Sequence, residues 1–210
     1  MSRTPTRCVC LIAISVLLLA TRAHGQQPEI IITVYNRSHM RPATLLDAEQ
    51  FAGHIIERAG LDILWVNCPL DDKSITECQQ PASNTRLVLT IANQWRGTIT
   101  EPGMLGLAVQ SANGAGAYCY VFKQKLDELV SCAHISASRL LAAAMAHEIG
   151  HLLKGTNSHS PRGIMSARWD DPEIAAAGRN ALNFTADDIA AIRATLSASS
   201  MLARYHGPRP

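Results

Sequence analysis

After its first two dozen residues the sequence contains no apolar run approaching the about 20 residues that a membrane-spanning helix requires. It has no marked excess of either charge, since 19 Lys and Arg stand against 17 Asp and Glu. That balance removes the electrostatic reason to expect nucleic acid or an anionic membrane surface as partner. It has no Cys-x-x-Cys pair, which argues against a structural zinc site built from four thiolates. No internal repeat is present, so a single non-repetitive domain is expected.

The chain opens with a transport segment. Arg3 and Arg7 form a positive start, Val9 to Ala20 an apolar run of signal-peptide length, and Ala23-His24-Gly25 puts small residues where cleavage before Gln26 needs them. Residues 1–25 are expected to be a signal peptide and residues 26–210 the exported domain, secreted or periplasmic, with no stable membrane association after cleavage. Taking 25 from 210 leaves 185 residues, enough for one domain with a sizeable core. The leader removes three arginines and no acid, so the formal charge passes from +2 to −1. Cys8 and Cys10 leave with it. The even set that remains, Cys68, Cys78, Cys119 and Cys132, reads as two disulfides in an exported chain. Local closure is expected, Cys68–Cys78 and Cys119–Cys132.

Residues Glu29 to Tyr35 form a β-rich run close to the mature N-terminus, which leaves little room for a propeptide. From Thr44 to Ala59 apolar residues recur at helical spacing, ending at Gly60. Leu61 to Asn67 returns to strand character, so the three pieces predict a βαβ unit with parallel strands. Residues 67–85 read as a surface loop. Arg86 to Ala92 is the next strand. Met104–Gln110 and Ala117–Phe122 are joined by a turn-rich Ser-Ala-Asn-Gly-Ala-Gly segment suited to a hairpin. Ile135 to Leu153 predicts a long buried helix. Shorter helices follow near Pro172–Ala177 and Ala186–Leu196, the last with Thr185 as N-cap. A loose tail is expected from Ala203.

The chemistry is concentrated in the long helix. His147 and His151 are four residues apart, so their rings project from one face and can share one Zn2+ at about 2.0–2.1 Å. Glu148 sits beside the first ligand but off the ligand line. There it can act as general base toward a zinc-polarised water that attacks a peptide carbonyl, and return the proton to the leaving nitrogen. Three polar residues embedded in an apolar helix need partners, and a metal supplies them. A third protein ligand leaves one position open for water. His159 is the natural candidate, with Gly155 ending the helix between. Spacing alone leaves His39, His54, His134, Asp170, Asp171 and Glu173 open as alternatives, and His206 in the tail as the least suited.

The stretch from His147 to Met165 resembles the metzincin superfamily of zinc endopeptidases, whose pattern is His-Glu-x-x-His-x-x-Gly-x-x-His followed by a Met-containing turn. His147, Glu148 and His151 match residue for residue. The glycine comes one position late as Gly155 and the third histidine two positions late as His159; Lys154 and Asn157 stand where the strict pattern has Gly and His. Gly163-Ile164-Met165 resembles the Met-turn, and Ser160 after His159 the matrixin His-Ser pair. The resemblance implies an α+β fold. Its parts would be a mixed five-stranded twisted sheet with two long helices, then a mainly helical C-terminal subdomain. It implies one catalytic zinc on His147, His151 and His159, and a peptide or protein substrate pairing with an antiparallel edge strand at Met104–Gln110. It also implies a specificity pocket lined after Met165, with Trp169 as a wall.

Two other functions fit the same residues. One is a thermolysin-like metallopeptidase with Glu173 as third ligand. The other is a secreted, non-catalytic binding protein whose zinc site is closed by a fourth protein ligand such as Asp170.

Overall fold

The computed structural model describes residues 30–71, 74–95, 103–110 and 117–205, with side chains as far as 198. The expected signal peptide, the hairpin linker at 111–116 and His206 lie outside the described residues.

Strand β1 (Ile30–Asn36) buries Ile30, Ile32 and Val34 on one face, the alternation that a half-covered strand demands. Helix α1 (Pro42–Arg58) begins with proline in its first turn, where the missing N–H has no intrahelical role. It buries a stripe of Leu45, Ala48, Ala52, Ile55 and Ile56 and gives way to Gly60 at φ 85°. Strand β2 (Ile63–Asn67) then pairs in parallel with β1, completing the expected βαβ unit. β3 (Arg86–Ala92) lies parallel to β1 on its other side and β5 (Tyr118–Phe122) parallel to β3. β4 (Gly106–Val109) runs antiparallel to β5. The strand order is β2-β1-β3-β5-β4, a mixed five-stranded sheet with β4 on its edge, as the resemblance implied.

Helix α2 (Lys123–Ala133) follows β5 without a loop, and α3 (Ala137–Lys154) carries the His-Glu-x-x-His residues. α4 (Asp171–Gly178) and α5 (Ala186–Tyr205) complete the chain. α3 is the centre of the molecule, packed on β3, β4 and β5, on α1 and α2, and on both C-terminal helices. Its Leu140, Leu141, Met145 and Ile149 are fully buried, each contributing about 1.5–3 kcal/mol by leaving water. Among the described residues no helix is long and apolar enough to cross a membrane.

Three expectations are corrected. Cys68–Cys78 forms, with Cα atoms 5.7 Å apart, and the Tyr35 hydroxyl donates to the Cys78 carbonyl at 3.1 Å, fastening that loop to β1. Cys119 and Cys132, however, are both free. Cys119 points from mid-β5 into the core, whereas Cys132 is exposed on the last turn of α2, so the two thiols occupy different environments. Residues 123–133, for which no element was expected, are helical. The tail expected to loosen at Ala203 continues in α5 to Tyr205.

Candidate metal centre

Three histidines converge at the C-terminal half of α3. One nitrogen from each of His147, His151 and His159 lies within 4.8 Å of the others. The first two come from successive turns of the helix. The third comes from the loop that leaves it, after Gly155 has ended the helix in the left-handed region at φ 66°. His151 is buried, His147 half-buried and His159 exposed.

Backbone carbonyls determine how the first two rings present themselves. His147 Nδ1 donates to the Ile164 carbonyl at 2.6 Å, and His151 Nδ1 to the Thr156 carbonyl at 3.1 Å. A carbonyl only accepts, so in the neutral rings both protons are on Nδ1 and both Nε2 atoms carry a bare lone pair. Those two Nε2 atoms face each other at 3.1 Å. Two lone pairs converging at this distance repel unless a positive centre lies between or beside them. Two nitrogens bound tetrahedrally to one zinc at about 2.0–2.1 Å stand roughly 3.3 Å apart, close to what is seen. Burial keeps both rings neutral, holding His147 down to about 4 and His151 down to about 3. The residues present therefore fit zinc.

Glu148 is 5% exposed, and burial pushes its carboxyl up to about 8. The edge strand passes directly over it. A Cβ at Gly106 would stand 2.5 Å from Glu148 Oε1 and 2.4 Å from the Tyr120 carbonyl, so only glycine lets β4 come this close. Just past β4, Gln110 Nε2 donates to the His151 carbonyl at 2.9 Å, tying the chain beyond the edge strand to α3 at a second point.

Met165 is wholly buried; a Cβ at Gly150 would meet its sulfur at 2.6 Å. Met165 thus packs against the turn of α3 that carries His151. The carbonyl of Ile164 that orients His147 also accepts from Trp169 Nε1 at 3.2 Å, and the Trp169 ring stands edge-on to His147 at 5.8 Å.

The remaining alternatives do not join the cluster. His39 follows β1, His54 lies on the exposed side of α1, and His134 caps α2. Asp170 precedes α4, and Asp171 and Glu173 lie in its first turn. Among the described residues no Cys, Asp or Glu joins the three histidines.

Two contributors carried little signal in the sequence. Gln110 had none beyond its place at a strand end. Asp188 is 1% exposed and accepts from Lys154 Nζ at 2.8 Å and from Ser160 Oγ at 2.5 Å. It also accepts from the Thr185 N–H at 3.0 Å and the Thr185 hydroxyl at 2.7 Å. Thr185 Oγ1 in turn receives the Asp188 N–H at 3.2 Å, a reciprocal cap for α5. The spacing Thr-x-x-Asp was the available signal. Burial alone would raise this carboxyl, but its hydrogen bonds to Lys154, Ser160 and Thr185 outweigh that and hold it low.

The sequence matches no protein-family model and no curated protein. The fold is similar to the solved archaemetzincin of Methanopyrus kandleri, with a TM-score of 0.53 and 16% identity over 85% of this chain and 99% of that one. A second likeness is to metalloproteinase-II of Bacteroides fragilis, with a TM-score of 0.49 and 12% identity over 81% of this chain and 54% of that one. The chain has an α+β fold of the zincin type.

Proposed function

We propose that this chain is a secreted zinc-dependent endopeptidase in which His147, His151 and His159 hold the metal and Glu148 is the general base. The observation that carries the reading is the pair of bare Nε2 lone pairs facing each other at 3.1 Å, with a third imidazole beside them. Zinc held there supplies Lewis acidity, lowering the pKa of a water and polarising a scissile carbonyl. The Ile164 and Thr156 carbonyls hold the two helix-borne rings in the tautomer that coordinates. Glu148, kept from bulk water by β4, takes a proton from the attacking water and delivers it to the leaving nitrogen. The backbone of β4 offers an extended peptide an edge to pair with. Trp169, edge-on to His147, is suited to wall the pocket next to the scissile bond.

The thermolysin-like alternative needs Glu173 at the metal, and the closed structural site needs a fourth ligand such as Asp170; neither joins the three histidines. The experiment is to incubate residues 26–210 with a diverse peptide mixture and read new termini by mass spectrometry, beside Glu148→Gln. Cleavage should fall by about 10²–10⁴-fold in the variant while zinc is retained. Undiminished cleavage would remove Glu148 from its role. A zinc-loaded wild type that cuts nothing would favour the binding-protein reading.

A further inference from the structure

His159 differs from the other two histidines in lying on an exposed loop, where no helix determines its position. The next residue along the chain is held firmly. The Ser160 N–H donates to the Met165 carbonyl at 2.8 Å, and Ser160 and Ser166 form a short parallel bridge. Ser160 Oγ reaches the same oxygen of Asp188, Oδ1, that binds the Lys154 ammonium. Lys154 is the last residue of α3, and its side chain is 7% exposed against 1% for Asp188. The Lys154 carbonyl is held as well, accepting from Thr195 Oγ1 of α5 at 3.0 Å. One buried carboxylate on α5 therefore ties the end of the helix bearing two histidines to the loop bearing the third.

The connection is two residues longer than the strict His-x-x-Gly-x-x-His spacing, and Lys154 occupies the position where that spacing has glycine. A longer loop has more conformations and places its histidine less sharply unless something restrains it. Buried ions persist where they are paired and hydrogen-bonded, and this pair sits where the extra length must be taken up.

We infer that Lys154 and Asp188 are positioning residues for His159, their buried ion pair acting through Ser160 to set the third histidine against His147 and His151. The inference rests on the metal-site reading above. Outer partners of this kind change metal affinity by about 10–100-fold.

The test compares zinc affinity by chelator competition, the visible spectrum of the cobalt(II)-substituted protein, and the melting temperature without metal. The proteins are wild type, Ser160→Ala, Lys154→Met and Lys154→Arg. Ser160→Ala cuts the link but leaves the ion pair. It should lose about 10–100-fold in zinc affinity and alter the cobalt spectrum. Without metal it should melt within the about 2–4 °C that one hydrogen bond accounts for. Lys154→Met should lose affinity likewise, and Lys154→Arg, which keeps the charge, should recover most of it. Wild-type affinity and spectrum in Ser160→Ala would overturn the inference and leave the network purely structural; this variant decides even if Lys154→Met fails to fold. A wild type that takes no zinc would sink the peptidase reading together with this one, whereas zinc-binding variants equal to a zinc-binding wild type would sink this one alone.

Discussion

The helix-borne and loop-borne halves of the histidine cluster are built in different ways. On α3, the period of the helix puts His147 and His151 on one face, the surrounding core buries them, and one carbonyl apiece orients each ring. On the loop from Thr156 to Trp169, backbone contacts to Met165 and Asn183 and one buried carboxylate keep a single exposed histidine within reach. The helix uses regular geometry to position its groups, whereas the loop relies on a few individual contacts, of which the Ser160–Asp188 hydrogen bond can be removed by one side-chain substitution.

That contrast can be tested at several strengths. The largest effect should come from the proposed ligands themselves. His151→Ala should cost more zinc affinity than the about 10–100-fold of an outer partner. His159→Ala should cost less than His151→Ala, because water reaches its exposed place and can fill it. Competition titrations check this, and equal losses would erase the distinction.

Next comes the pH response of the metal-free protein. Glu148 has a carboxyl at about 8 against 4.5 unfolded, so its stabilisation is full below 4.5 and is lost as pH rises to 8. His147 and His151, at about 4 and about 3 against 6.5, contribute stability that is present above 6.5 and is lost as pH falls. Together these place the maximum near pH 6.5, with a decline of about 1 kcal/mol by pH 8 that Glu148→Gln should abolish. Urea unfolding with chelator at both pH values measures it; an undiminished decline in the variant would assign it elsewhere.

The smallest effect belongs to the loop. Trp169→Phe keeps a ring beside His147 but removes the donor to Ile164, and should lower stability by about 0.5–1.5 kcal/mol. Chemical denaturation measures the change. A larger loss would mean that the loop is less modular than its contacts imply.

The two halves were unequally legible in the sequence as well. The βαβ unit, β3 and α3 follow from alternation and helical period, because each buries one face or, for α3, nearly all of it. His147, Glu148 and His151 followed with α3. His159 was named as the natural third partner but not required, because loop length excludes almost nothing; chain folding over Gly155 brought it, rather than His39, His54 or His134, to the cluster. α2 was missed although Leu126, Leu129 and Val130 have helical spacing, because no Gly or Pro separates it from β5. The pairing of Cys119 with Cys132 failed because proximity in sequence says nothing about which face of a strand a thiol occupies. Thr185 was readable as a cap, but its partner Asp188 takes on a second task only once α5 packs beside Lys154.

The glycine at 106 has a consequence for anyone wishing to retrain this chain. Directed evolution for new peptide preferences usually diversifies every position along a substrate-facing edge. On β4, the edge proposed to pair with substrate, one of those positions is closed in advance, since any side chain at 106 meets both the Tyr120 carbonyl and the Glu148 carboxyl. A library randomised there should return glycine whichever substrate is selected, so useful variation must be sought at Leu107, at Val109 and in the loop around Trp169.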